Sequence, residues 1–335
     1  MAKKAKKKKV RKGPIILLVV LVLLLAIAIG VLYFVNRLNT VKLDMDNVKV
    51  NDFTDKNINN YENIAIFGVD SRQSDLTSAT RSDTIIICSI NKKTKEVKLA
   101  SIYRDTLAKI GDNYQKINAA YAKGSYELAL STLNEHFDLN IKNFVTVNFS
   151  AVANIVNKVN GVDIEIESDE IDALNKNIKD CNKLLKTDSA TISKAGTYTL
   201  DGTQALAYAR IRKTAGNDFR RTERQRTVIK AILAKAKNSS ITSLIGVVND
   251  MLPQIATSYN TAGLLSLAKD MSSYKIADQT GFPSNYRNAY VNKAAVLIPD
   301  TLSSNVTELH SFLFGTENYQ PSETVTSLSK KLSQF

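Results

Sequence analysis

The feature that most constrains this chain is an uninterrupted apolar run near its start. From Ile15 to Val35 the sequence reads IILLVVLVLLLAIAIGVLYFV, twenty-one residues without a charge. As a helix such a run spans roughly 30 Å, the hydrocarbon thickness of a bilayer, and it predicts one transmembrane helix over 15–35. A buried core helix is the structural alternative, and the length argues against it. Ala26-Ile27-Ala28 resembles a signal-peptidase site, but apolar residues continue through Val35, longer than a cleaved signal core, so retention as an anchor is expected. Residues 1–12 carry eight basic side chains, and the first acidic residue is Asp44. That asymmetry predicts a cytoplasmic basic tail over 1–14 and everything after residue 36 outside. The expected localisation is the cell membrane, single-pass with the N-terminus inside, in contact with membrane lipids.

The same tail explains most of the charge. The chain carries 45 Lys and Arg against 32 Asp and Glu, a net +13, but residues 13–335 hold 37 against 32, only +5. The folded part is therefore not uniformly basic, and no nucleic-acid partner is expected. Two His and two Cys leave little material for a zinc site or a His-based triad. Cys88, in IIICSI, reads as a small buried hydrophobe, and Cys181 lies in the polar stretch KDCNKL. Two cysteines make no disulfide framework, and free thiols are expected.

Residues 36–60 are polar and aperiodic and read as a juxtamembrane linker, leaving 61–335 as one external domain. Asn63–Val69, Thr84–Ile90 and Val97–Tyr103 read as strands, the last two as a hairpin. Tyr126–Phe137 reads as an amphipathic helix, Phe144–Val147 as a strand, Ser150–Val159 as a helix and Val162–Ile166 as a strand. Helices are expected over Gln204–Ala209, Arg220–Ala236, 240–258 and 261–271, then a strand Ala294–Ile298 and a helix Thr301–Phe314. This interleaving predicts an α/β/α sandwich, a mixed central sheet with helices on both faces, preceded by the transmembrane helix.

Arginine is unevenly used. Of twelve, nine fall in short patches: Arg72 and Arg81, Arg104, then Arg210, Arg212, Arg220, Arg221, Arg224 and Arg226. None lies between Arg104 and Arg210, although lysines are frequent there. A guanidinium offers a planar fork that holds phosphate oxygens at two points, whereas an ammonium acts as a point charge. Clustered Arg in a Lys-rich chain thus points to phosphate or pyrophosphate; ion pairing with neighbours such as Glu223 or Asp218 is the structural alternative. The early patches adjoin strand ends, where ligands gather in open α/β sheets. Arg221, Arg224 and Gln225, three and four residues apart, share a helix face near its N-terminus, which favours anions. Asp70 and Asp83 sit in the same places, and a divalent cation held by carboxylates and phosphate oxygens would reconcile them with the arginines; magnesium fits best, manganese next. Salt bridges to Arg72, Arg81 or Arg104 are the alternative.

The motifs GVDSR (68–72), RSDT (81–84), SIYRDT (101–106), KINAAY (116–121), Asn148-Phe149, Gly161-Val162, Leu200-Asp201-Gly202, ALAYARIR (205–212) and DFRRTERQ (218–225) stand in order over about residues 61–236. In this pattern the chain resembles the LytR-CpsA-Psr family of bacterial cell-envelope phosphotransferases. The resemblance implies transfer of a glycopolymer, such as teichoic acid or capsular polysaccharide, from an undecaprenyl pyrophosphate carrier to peptidoglycan, releasing undecaprenyl phosphate. It implies an external catalytic domain in which Asp70 and Asp83 hold magnesium and Arg81, Arg104, Arg210, Arg212, Arg221 and Gln225 surround the pyrophosphate. Lys116, Arg72 and Arg224 are further members of that group, and Asp218 would orient or deprotonate the acceptor hydroxyl. Two departures stand out: Gly124-Ser125 has one glycine where relatives often show a pair, and Tyr103 sits where many have Pro. Helices such as Tyr126–Phe137 serve core packing first, with a polyprenyl slot as the second reading. The alternatives are a hydrolase acting on the same lipid pyrophosphate and a non-enzymatic envelope protein that binds polyanions.

Overall fold

The computed structural model describes residues 44–52, 55–69, 76, 80–212, 217–240, 246 and 255–335. In chain order the elements are β1 (Tyr61–Val69), β2 (Ser82–Asn91), β3 (Glu96–Ile102), β4 (Leu107–Ile110), β5 (Asn113–Lys116), α1 (Ala119–Phe137), β6 (Asn143–Asn148) and α2 (Phe149–Lys158). Then come β7 (Val162–Ile166), α3 (Ile171–Leu185), β8 (Gly196–Leu200), α4 (Gly202–Ala209), α5 (Asn217–Lys237), β9 (Ile255–Thr257) and α6 (Thr261–Lys269). The last are β10 (Lys275–Phe282), β11 (Tyr286–Val291), β12 (Ala294–Pro299), α7 (Leu302–Phe314) and α8 (Glu323–Leu332).

Alternation along three strands builds the centre. A strand presents successive side chains to opposite faces, and here both faces are apolar. Ala65, Phe67, Ile85, Ile87, Ala100 and Ile102 enter one core, while Ile64, Ile86, Cys88, Ile90, Val97 and Leu99 enter another. The first core is closed by residues of α1, α7 and α8, among them Leu130, Leu133, Leu309, Leu313 and Val325. The second takes Ile229 of α5 and Leu264 and Leu267 of α6. The sheet order is β10-β3-β2-β1-β6-β9, with β1 antiparallel to β2 and parallel to β6. This is the expected mixed sheet with helices on both faces. A third cluster lies beside it, where β7 and β8 pair and Leu174, Ile178 and Cys181 of α3 pack with Leu206 of α4 and Val228 of α5.

The expectation of a membrane-spanning helix is corrected. Among the described residues no helix is long and apolar enough to cross a membrane. The longest, α5, has 21 residues but reads NDFRRTERQRTVIKAILAKAK, and charges so frequent cannot enter hydrocarbon. The run Ile15–Val35 lies outside the described residues; the fold of the described residues is the sandwich, and the single-pass, membrane-anchored placement built on that run is withdrawn.

Residues 44–60, read as linker, hold contacts to the domain. Val48 and Ile58 are buried in the first core, the Asn51 amide donates to Asp138 Oδ1 at 2.7 Å, and Asp55 Oδ2 meets His310 Nδ1 at 3.0 Å. Within the span expected to be helix over 240–258, Ile255–Thr257 is a strand, because it pairs with β6 and the Thr257 hydroxyl donates to Phe144 O at 2.7 Å; residues 241–245 and 247–254 lie outside the described residues. Cys88 and Cys181 are buried and free. At the single-glycine departure the helix α1 breaks: Gly124 has φ −149° and Ser125 φ 54°, ψ −152°, a region that glycine occupies almost alone. At the other departure, the Tyr103 hydroxyl occupies the space above Gly281, where a Cβ would fall 2.0 Å from it, and the ring packs edge-on against Phe219 at 4.6 Å.

Candidate active site

Three elements deliver charge to one place. The start of β2 carries Asp83, the turn after β3 carries Arg104, and the segment after α4 carries Arg212. Arg104 Nη1 lies 3.1 Å from Asp83 Oδ1, and Arg212 Nη2 lies 3.7 Å from Asp83 Oδ2. From the first turns of α5, Arg221 Nη2 donates to the backbone oxygen of Asp83 at 3.3 Å. Asp105 then links Arg104 to Lys116, whose ammonium is 2.7 Å from Asp105 Oδ1. Arg210, at the C-terminal end of α4, lays its guanidinium 4.6 Å from the Phe149 ring centroid and donates to Cys181 Sγ at 3.7 Å.

The local sequence explains these positions. Asp201 and Gln204 form a reciprocal capping box that starts α4. The first residue of α4, Gly202, approaches α2 so closely that a Cβ would fall 2.0 Å from Ala153 O. The eight-residue helix therefore ends where Arg210 meets Phe149. On α5, Arg221 and Gln225 are one turn apart and face the same way.

Of these residues Asp83, Arg210, Arg212 and Arg221 line a cavity of about 400 Å3, together with Thr84, Phe149, Ala173, Lys176, Asn177, Ala209 and Gln225, and Arg104 reaches it through its pair with Asp83. Four cations face one carboxylate there, so the cavity favours an anion of more than one charge. The buried Gln225 Oε1 has no hydrogen-bond partner among the described residues. A second, apolar cavity of about 180 Å3 shares Thr84, Phe149, Ala209, Arg210 and Gln225 with the first and continues along Ile66, Gly68, Val152, Ile155, Leu206 and Ile232. A Cβ at Gly68 would lie 2.8 Å from Thr84 Cβ, so glycine is needed where the two strands and the slot meet. A charged chamber opening into an apolar slot suits a ligand with an anionic head and a hydrocarbon tail.

The structure thus brings together Asp83, Arg104, Arg210, Arg212, Arg221 and Gln225, with Lys116 joined through Asp105. Arg81 is exposed ahead of β2 and is not among the cavity's lining residues. Arg224 turns away: its Nε donates to Glu170 Oε1 at 2.6 Å in a pair that is almost wholly buried. Arg226 is buried and donates to the Ser101 hydroxyl at 2.7 Å, and burial pushes its guanidinium below the usual arginine range. Arg220 pairs with Glu167 at 3.1 Å on the surface. Asp70, Arg72 and the side chain of Asp218 lie outside the described residues. The sequence reading missed Lys176 and Asn177, because α3 was not recognised as a helix; its apolar positions Ile171, Leu174, Ile178 and Cys181 form one narrow stripe that signals it. The polyprenyl slot that the sequence offered as a second reading of Tyr126–Phe137 is not there: Leu130, Leu133 and Phe137 of α1 are in the core, as the first reading had it, and the apolar cavity lies on the opposite face of the sheet.

A sequence profile of the LytR_cpsA_psr family matches residues 31–310. The chain belongs to this family. Members most like it include the polyisoprenyl-teichoic acid–peptidoglycan teichoic acid transferase TagT of Bacillus subtilis (strain 168), 32% identical over 237 residues that make up 69% of this chain and 71% of the relative. The transferase TagU of Enterococcus faecalis (strain ATCC 700802 / V583) is 33% identical over 184 residues, 53% of this chain and 55% of that relative. Among solved structures, TagT bound to LIIa-WTA superposes with a TM-score of 0.61 at 26% identity, covering 80% of this chain and 95% of that one.

Proposed function

We propose that this protein transfers a teichoic-acid-type glycopolymer from a polyprenyl pyrophosphate carrier to peptidoglycan. It is an enzyme of the phosphotransferase kind, and its partners are the lipid-linked polymer and peptidoglycan. The observation that carries this reading is the continuity of the cationic chamber with the apolar slot through Thr84, Phe149, Ala209, Arg210 and Gln225. A pyrophosphate held by the arginines would leave its polyprenyl chain in the slot. The named activities of TagT and TagU, and the bound ligand of the TagT structure, support the same chemistry.

In the reaction an acceptor hydroxyl oxygen attacks the sugar-side phosphorus. The bond from that phosphorus to the bridging oxygen breaks, the polyprenyl phosphate departs with the bond's electron pair, and the hydroxyl proton is released. Such transfer asks mainly for positioning and charge neutralisation. Asp83 holds Arg104 and Arg212 in place before substrate arrives, so their donors need little reorganisation when charge moves onto the leaving oxygen. Arg221, anchored to the Asp83 backbone, and Arg210, resting on Phe149, complete the cradle.

Magnesium or manganese belongs to this reading. Among the described residues no three His, Cys, Asp or Glu side chains gather, but a magnesium ion commonly takes only one or two protein carboxylates alongside substrate phosphates. Asp83 fits: it is a hard oxygen donor about one-third exposed at the cavity. Asp70 would be the second ligand. When bound, the ion supplies neutralisation of the pyrophosphate charge. The test is incubation with a synthetic lipid-linked polymer and peptidoglycan. Phosphodiester-linked polymer that forms with magnesium and not with chelator is expected. Free polymer phosphate without attachment would identify a hydrolase, and chelator-independent transfer would remove the metal.

A further inference from the structure

Lys176 is a cavity-lining cation that the family motifs do not include. It stands on α3, and the Asn177 side chain beside it donates to Ala207 O at 3.0 Å, tying that wall to the helix that ends in Arg210. The other cavity cations have fixed company: Arg212 and Arg221 meet Asp83, and Arg210 rests on Phe149 and Cys181. Lys176 is exposed and makes no hydrogen bond or ion pair among the described residues. Of the four lining cations, Lys176, Arg210, Arg212 and Arg221, it is thus the one without a partner among the described residues. The residue types divide the same way, since arginine forks suit a pyrophosphate of fixed geometry and a flexible ammonium suits an anion whose position varies. Asp172 and Asp180 lie one turn to either side of Lys176 on the same helix, so α3 is not a basic track and the claim is confined to this residue.

We propose that Lys176 is a specificity residue that contacts the first negatively charged unit of the polymer beyond the pyrophosphate, giving preference to anionic over uncharged glycopolymers. This rests on the carrier-lipid reading of the same site. The test uses the full-length chain and two synthetic polyprenyl pyrophosphate disaccharides, one ending in a glycerol phosphate unit and the other in glycerol, with dissociation constants measured by calorimetry. The wild-type chain is expected to bind the phosphate-bearing donor about tenfold more tightly, a preference that shrinks at high salt. Lys176→Ala should bring the ratio of the two constants to about one, and Lys176→Arg should keep it. A ratio that is unchanged in Lys176→Ala, or equal affinities in the wild type, would overturn the proposal. If the wild type binds neither donor, the carrier-lipid reading fails and the proposal falls with it; if it binds both equally, only the proposal fails.

Discussion

Two arginine–carboxylate pairs, Arg104 with Asp83 and Arg224 with Glu170, use the same chemistry for different ends. In the first the side chains are 19% and 32% exposed and Asp83 lines the cavity; in the second they are 3% and 4% exposed. An open pair gives up part of its contact to an incoming anion at little cost, because water and substrate replace what is lost. A sealed pair has no such exchange partner, and either member left alone is a desolvated charge. Exposure separates these two pairs, and the presence of an arginine in the motif does not by itself mark a binding group. Arg221 and Arg224 are three residues apart on α5 and both are buried, at 2% and 3% exposure, yet only Arg221 lines the cavity.

The largest effect is expected at the sealed pair. Arg224→Ala leaves Glu170 buried without its partner and should lower stability by about 3–5 kcal/mol in chemical denaturation; a loss under about 1 kcal/mol would show that the pair is not sealed in solution. A second sealed group brings pH to bear on the same contrast. His136 is buried, its ring nitrogens meet Thr132 O and the Lys109 amide, and burial lowers its pKa from 6.5 to about 4. The folded state therefore prefers the neutral ring. The stability it contributes is complete above pH 6.5 and drains as pH falls toward 4, by about 3 kcal/mol in all. His136→Gln should flatten that part of the stability-against-pH curve, and an unaltered slope would remove His136 as its source. The smallest effect belongs to the surface pair of Arg220 with Glu167, 35% and 57% exposed. Arg220→Ala should change stability by less than about 1 kcal/mol, and a larger shift in the melting curve would place it with the sealed pair.

The sheet was legible because β1, β2 and β3 are apolar on both faces, and long apolar runs leave few other options. The arginine patches were legible because arginine is scarce elsewhere in the chain. What could not be read was which way each arginine turns. Arg224 is sealed by Glu170, 54 residues away in sequence, and no local pattern announces such a partner. Strand β10 escaped notice because it lies at the sheet edge, where its polar residues Lys275, Asp278 and Gln279 break the apolar alternation. Helix α3 escaped because asparagine and lysine dilute its apolar stripe, and Lys176 was lost with it. The slot is assembled from β1, β2, β6, α2, α4 and α5, so it exists only once the chain has folded.

The central claim is that the open pair is the working half of this comparison. The direct measurement is the rate of polymer transfer from the lipid carrier by Arg104→Ala, set beside its melting curve. Transfer should fall by about 10²–10³, while stability stays within about 1 kcal/mol of the wild type. Undiminished transfer by a folded Arg104→Ala protein would contradict the account.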